Sequence, residues 1–431
     1  MPDLFFDLFA RRLREKSGVF APILADPLAE IIGERVWSAV DRVAPPNASA
    51  VAVDGGVQAA GLSDGRQLVV ARAIAISSAG SAPVRDVDLD VVPQGGGVGV
   101  SMMTRLEMSV AAKAVREGDV DYALMDGSLY VKMMTLIHVI ALDKVAPGPE
   151  VREAVRTLES IKDFLDACKD AGARPLFVSK DSHLKIIKDY LIFTALQRLL
   201  AGHVDGEDLE LLSRGAQLYS LSWLRSGRQR LAEIAREYKG VDGDLVRLLV
   251  EKELDQYLGD SLLLDSMARR EGVRRGVSRP MLIGAVDVYL KRAGLDSVDS
   301  LGRAMERRAR EAGASFDAIT ALSGLPRILM FHVKAGDQDV PLMVETPLHK
   351  WRFLSDELPR KLFYEYDWRM DAQLLMSQYV NPLNYNRLLM LAHHYATFTA
   401  AQFQEYLLLA KREVGLGSSR RGMIGFGMLN G

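Results

Sequence analysis

Apolar and polar positions along this chain fall into three stretches: strands interleaved with helices, a long helical stretch, and a second strand pair near the end. The most regular pattern runs from Val51 to Ser77. An apolar run, Ala50-Val51-Ala52-Val53, ends on Asp54 and two glycines, and a second β-rich run (Leu68 to Val70, then Ala73 to Ile76) follows a Ser-Asp-Gly turn signal. Short apolar runs bounded by Gly and Asp predict a buried strand and its hairpin return. Residues 1 to about 43 predict helices, the first of them amphipathic, with an apolar face (Leu4, Phe5, Leu8, Phe9) suited to docking on a protein partner. Ala79 to Val100 reads as loop, with Pro83, Pro93 and the run Gly95-Gly96-Gly97. That glycine run lacks the Gly-Lys-Ser/Thr ending of a phosphate-binding loop.

From Ser101 to Arg116 the period becomes helical, with Met103, Leu106, Val110 and Ala114 on one face and Glu107 at its edge. Tyr122 to Met125 predicts a short strand ending on Asp126-Gly127-Ser128, the same punctuation as Val53-Asp54-Gly55. A helix from about Gly148 to Ala171 precedes a strand at Pro175 to Val178, followed by Ser179-Lys180-Asp181. Alternating strands and helices predict a mixed α/β sheet. Leu184 to Ser323 reads as almost wholly helical, with Arg-rich turns that are solvated faces or phosphate contacts. Arg327 to Lys334 and Val340 to Thr346 predict a late hairpin. A helical tail follows, carrying Tyr385 and Leu391-Ala392-His393-His394. The resulting organisation is an N-terminal helical segment (1–45), the first part of a split α/β core (46–200), a large helical insertion (201–325) and a completing segment (326–431).

Composition narrows the classes. Hydrophobic residues make up 48% of the 431 and charged residues 26%, enough to build a substantial core. A formal net charge of −2 supplies no global basic field, so binding to nucleic acid has to use local patches. The single cysteine, Cys168, excludes an internal disulfide or a cysteine zinc cluster and fits a reducing, cytoplasmic setting. No run approaches the roughly 20 apolar residues that span a bilayer, so no membrane association is expected.

The acids carry the candidate chemistry. Asp54, Glu107 and Asp126 are hard oxygen donors, which suit Mg²⁺ or Mn²⁺ better than zinc. Divalent ions about 4 Å apart activate water and stabilise the leaving oxygen of a phosphodiester. His393 titrates near working pH and could shuttle a proton. Lys180 could balance charge on phosphate, and Tyr385 could stack on a base or orient a phosphate. Each has a plainer alternative: a loop acid, a flank residue, a core histidine, a strand-capping lysine, a packed tyrosine.

Taken in order from about residue 20 to 415, several pieces resemble the NurA nuclease family. They are AVDGG around Asp54, TRLEMSVA around Glu107, ALMDGSL around Asp126, FVSKDS around Lys180, the pair RILMFHVK and VPLMVETP, and Tyr385 ahead of Leu391-Ala392-His393. The resemblance implies an α/β fold with an RNase H-like mixed-sheet core. It implies a manganese site with Asp54, Glu107 and Asp126 as ligands and with Tyr385, His393 and Lys180 as supporting catalytic groups. It further implies a homodimer with 5′-to-3′ exonuclease and single-strand endonuclease activity on DNA, working with the hexameric ATPase HerA in DNA-end resection. Between the adjacent histidines, motif alignment favours His393 over His394. One departure is Gly56, where the family often has Ser. Two rival readings make different demands. An actin-like ATPase needs late glycine-rich nucleotide turns, which Gly324 and Gly336 do not form. A non-catalytic DNA-clamping adaptor predicts DNA binding indifferent to Mn²⁺ and to Asp54→Asn.

Overall fold

A computed structural model describes residues 5–16, 26–40, 47–141, 146–180, 182–218, 225–255, 257–337, 339–348 and 363–415. The chain separates into two units, Met1–Arg35 with His183–Gly272, and Val36–Ser182 with Val273–Gly431.

The second unit holds every described strand. These are β1 (Trp37–Ala39), β2 (Ala50–Gly61), β3 (Arg66–Ser77), β4 (Val84–Pro93), β5 (Tyr122–Asp126), β6 (Arg174–Ser179), β7 (Gly276–Ser278), β8 (Met281–Ile283), β9 (Arg327–Lys334) and β10 (Leu342–Leu348). They form one mixed sheet in the order β1-β7-β9-β10-β6-β5-β2-β3-β4, with β8 also paired to β9. β2, β3 and β4 run antiparallel, as the turn signals require. β5 lies parallel to β2 and β6 parallel to β5. The pairing of β2 with β5 stops at Val53 and Met125, so Asp54 and Asp126, each one residue further on, emerge together. β5 ends there, while β2, expected from the sequence to stop at Asp54, runs on to Gly61 because its backbone stays paired with β3.

Strand pleat then decides which face each acid occupies. Ala50, Ala52, Tyr122 and Leu124 lie in a buried cluster with Leu374, Leu375, Leu389 and Ala392 from the tail helices. Side chains two apart share a face, so Asp54 and Asp126 point the same way. The helices of this unit are α3 (Val98–Glu117), α4 (Leu129–Ala141), α5 (Pro149–Ala171), α11 (Ala285–Ala293), α12 (Val298–Glu311), α13 (Ala318–Gly324), α14 (Arg369–Ser377), α15 (Arg387–Ala396) and α16 (Ala400–Val414). α3 packs on β2, β3 and α5, and α15 packs on β2 and β3.

The first unit is helical throughout its described length: α1 (Phe6–Glu15), α2 (Asp26–Ile32), α6 (Ile186–Leu200), α7 (Gly206–Leu218), α8 (Arg225–Glu237), α9 (Gly243–Leu254) and α10 (Asp260–Arg270). Its core is tied by buried charge. Asp260 accepts the backbone N–H groups of Ile186 (2.9 Å) and Lys188 (2.7 Å), capping α6 from a neighbouring helix. Burial pushes the Asp260 carboxyl up to about 7 against those bonds. In α1, Phe5, Phe6, Leu8, Phe9 and Leu13 are exposed; Leu4, placed on the same face by the sequence, lies outside the described residues. Among the described residues no helix is long and apolar enough to cross a membrane.

The late hairpin, the α/β alternation and the long helix before β6 stand where the periodicity puts them. Three stretches differ. Val84–Pro93, read as loop, is the strand β4 at the sheet edge. Aspartates at 86, 88 and 90 weaken its β signal, yet at an edge such charges deter pairing with another chain. Trp37–Ala39 is a strand inside a stretch read as helical. β7 and β8 interrupt the stretch read as helix from Leu184 to Ser323. Strands of three residues are too short to show a period.

Candidate functional site

The centre lies where β5 ends beside the middle of β2 and α15 packs against them. One ligand atom each from Asp54, Asp126 and His393 can be chosen so that all three lie within 4.8 Å of one another. Asp54 is 5% exposed and its Oδ2 lies 2.7 Å from Nδ1 of His393. Its other oxygen, Oδ1, accepts the backbone N–H of Gly55 at 2.8 Å. Tyr385, buried, donates its hydroxyl to Oδ1 of Asp126 at 3.2 Å. The ammonium of Lys180 stands over the Tyr385 ring, 5.5 Å from its centroid. His394 points elsewhere: it is exposed and meets the edge of Tyr395.

Glu107 reaches the same place from α3 but falls outside the group of three. It is 3% exposed, and its Oε2 is paired with Nζ of Lys132 at 2.9 Å. That ammonium also donates to the backbone carbonyl of Asp126, at 3.0 Å. Lys132 sits in the first turn of α4, directly after the Asp126-Gly127-Ser128 turn. A side chain at Gly55 would strike Met103 and Glu107, so the bare backbone there is what admits Glu107 beside β2.

The electrostatics describe a surplus of negative charge. Burial raises the Glu107 carboxyl above its ordinary value, with Asp54 and Asp126 adding to the rise and Lys132 opposing it. Burial likewise raises Asp126; the Asp54 charge adds, while Lys180, Lys132 and the Tyr385 hydrogen bond oppose. The hydrogen bond to Asp54 holds His393 above the usual imidazole value against partial burial. Lys132 is held above the ordinary lysine value, since the carboxylates around it outweigh its burial. Two carboxylates and an imidazole, in a pocket of carboxylates that resist ionisation, fit a divalent cation. The carboxylate oxygens suit Mg²⁺ and Mn²⁺ alike.

Two residues to which sequence reasoning gave no positioning role, Gly56 and Arg72, hold the tail in register. Gly56 and Arg72 are direct partners across β2 and β3. A side chain at Gly56 would run into the carbonyl oxygen of Ala396, at the end of α15. Arg72 donates from Nε to Ala396 O (2.7 Å) and from Nη2 to Thr397 O (2.6 Å), with its guanidinium 4.0 Å from the Phe398 ring centroid. A cation on the last carbonyls of a helix completes their hydrogen bonding and suits the helix dipole. One rung of the hairpin thus seats α15, and with it His393. Gly56, the departure noted in the sequence, is the residue that this close approach requires.

The family model described as the NurA domain matches residues 48–398. No curated protein is similar enough to count as a match. Among solved structures, the chain is similar to the crystal structure of the NurA nuclease from Sulfolobus solfataricus, at 13% identity, 95% of this chain and 97% of that one, with a TM-score of 0.49. A crystal structure of NurA bound to dAMP and manganese is 14% identical over 96% of this chain and 98% of that one, with a TM-score of 0.39.

Proposed function

The chain belongs to the NurA family, and from that premise we propose that it is a manganese-dependent deoxyribonuclease with an RNase H-like core. The order β4-β3-β2-β5-β6, with three antiparallel strands followed by two parallel ones, supports the RNase H-like reading. The single observation that carries the chemistry is the convergence of Asp54, Asp126 and His393 where β5 ends beside β2.

In this reading Asp54, Asp126 and His393 hold the ion, and Glu107 completes the acidic set through Oε1, the oxygen not taken by Lys132. A bound Mn²⁺ supplies a Lewis acid and lowers the pKa of water at the scissile phosphodiester. The chain's own groups do the rest. Tyr385 fixes the rotamer of Asp126 through its hydroxyl. Lys180, its ammonium held over the Tyr385 ring, supplies a positive charge for a phosphate oxygen. His393 donates to Asp54, and as a neutral imidazole it would offer a ring nitrogen to a divalent cation held there. Digestion from 5′ ends, single-strand endonuclease activity, a homodimer and work with a HerA-type hexameric ATPase in DNA-end resection belong to the same proposal. Those features come from the family resemblance and not from the site's geometry.

End-labelled linear DNA incubated with the purified protein in Mn²⁺, in EDTA, and with Asp126→Ala tests the reading. Loss of full-length DNA only with wild type in Mn²⁺ is the expected result; a wild-type lane inactive until the ATPase is added makes the complex the active form. Cleavage that persists in EDTA or in Asp126→Ala overturns it.

A further inference from the structure

The strand β10 carries one acid, Glu345, in an otherwise apolar and neutral run, LMVETPL. The sequence matched this stretch to the family without giving it a role. Glu345 is fully buried, and among the described residues no lysine, arginine or histidine forms an ion pair with it. A buried carboxylate in that condition is costly unless its hydrogen bonds are well made. Its two oxygens are both used. Oε1 accepts the Ser128 hydroxyl at 2.7 Å, and Oε2 accepts the Tyr130 N–H at 2.9 Å. The Ser128 oxygen in turn accepts the N–H of Val131 at 3.0 Å. A carboxylate from a distant strand therefore caps the first turn of α4, where free N–H groups and the helix dipole favour negative charge.

That turn starts one residue after the Asp126-Gly127 pair and carries Lys132. Gly127 takes a positive φ of 87°, which favours glycine, and the end of the Lys132 side chain passes alongside it. The first turn of α4 thus sets both where the Asp126 turn lies and how far Lys132 reaches toward Glu107. We infer that Glu345 is a positioning residue of the candidate metal centre, acting through Ser128 and the first turn of α4 to place Lys132, Glu107 and the Asp126 turn. It touches neither substrate nor ion. The inference rests on the proposed metal-dependent reading.

Glu345→Gln in the full chain is the test, because it keeps the shape and removes one acceptor. The Mn²⁺ concentration for half-maximal cleavage is expected to rise about tenfold while the rate at saturating Mn²⁺ stays within about threefold of wild type. Titration of DNA-free protein with Mn²⁺ should show the same loss of affinity. A purely structural role does not produce this split between metal dependence and maximal rate. An unchanged Mn²⁺ requirement in a folded Glu345→Gln protein overturns the inference. Should that variant fail to fold, Ser128→Ala, which cuts the same link at its exposed side, is expected to shift the Mn²⁺ requirement about threefold in the same direction. No shift there overturns it equally. A wild-type protein that binds no Mn²⁺ and cleaves no DNA sinks the nuclease reading itself, whereas an active wild type with an indifferent Glu345→Gln sinks this inference alone.

Discussion

Asp54 and Glu107 flank the same glycine, are almost equally buried, and each leans on one side-chain nitrogen. For Asp54 that nitrogen is Nδ1 of His393 at 2.7 Å; for Glu107 it is Nζ of Lys132 at 2.9 Å. The partners differ in what they can become. An imidazole loses its proton near neutral pH and then offers a lone pair to a cation. An ammonium held above the ordinary lysine value by surrounding carboxylates stays charged and offers none. On the proposed reading the Asp54 side can exchange its proton for a metal ion, while the Glu107 side already carries an ammonium on Oε2. One crowd of acids is therefore met in two ways, by a replaceable partner and by a permanent one. The supports differ in the same sense. His393 arrives on α15, seated by the Gly56–Arg72 rung, and Lys132 arrives on α4, capped by Glu345.

The sharpest way to break this contrast is to make the two sides alike. His393→Lys gives Asp54 a fixed cation of the kind that Glu107 has. Cleavage of end-labelled DNA is expected to fall at least about 1,000-fold, which corresponds to about 4 kcal/mol of barrier. Titration with Mn²⁺ should show no binding. Retained Mn²⁺ binding would mean that the imidazole is not a donor and that the two partners are equivalent.

The converse change is Lys132→Met, which leaves Glu107 buried without its cation. In EDTA the protein is expected to lose about 3 kcal/mol of stability, the order seen when one partner of a buried pair is removed. In saturating Mn²⁺ the loss should shrink, because a bound ion gives Glu107 another positive neighbour. Chemical denaturation in the two conditions measures it. Equal losses with and without Mn²⁺ would place Glu107 outside the reach of the ion.

Much of this arrangement is legible in the sequence, and the remainder shares one physical reason. Asp54 and Asp126 stand out because an apolar run stops on an acid and a glycine, although only β5 ends there and β2 runs on to Gly61. Glu107 shows as an acid at the edge of an apolar helical stripe. The groups that position these acids are quieter. Lys132 is the only lysine in LYVKMMTLIHVIA, Arg72 the only arginine in LVVARAIAIS, and Glu345 the only acid in LMVETPL. A lone charge in an apolar run has to find a partner or an uncompensated helix end, so each of them carried a usable signal. What each partner would be depends on contacts spanning from 25 residues for Lys132 with Glu107 to 324 for Arg72 with Ala396, which no local period encodes. Gly56 is the extreme case. Its role lies in what it leaves out, and only the close passage of α15 reveals it.

Restoring a side chain at that position tests the seat of His393. Gly56→Ser puts a Cβ against the Ala396 carbonyl and should push the end of α15 off the sheet. The expected stability loss is about 2 kcal/mol, typical of overpacking a well-fitted contact. The Mn²⁺ requirement for cleavage should rise about tenfold as His393 withdraws from Asp54, the scale on which supporting contacts tune a metal site. An unchanged Mn²⁺ requirement would show that α15 can shift without carrying His393 away.

The smallest effect belongs to Arg72→Lys, on the same rung. Lysine keeps the positive charge at the end of α15 but cannot donate to Ala396 and Thr397 through a planar fork, nor lie flat over Phe398. Losing one net hydrogen bond and a stacking contact is expected to cost about 1 kcal/mol in chemical denaturation. Arg72 hydrogen-bonds no site acid, and its charge is retained, so the Mn²⁺ requirement should move by less than about threefold. The loss of stability should also be the same in EDTA and in Mn²⁺, unlike that of Lys132→Met. A loss that disappears in Mn²⁺ would mean that the rung and the ion hold α15 in place interchangeably, and that the seat of His393 is completed by metal rather than built in advance by the hairpin.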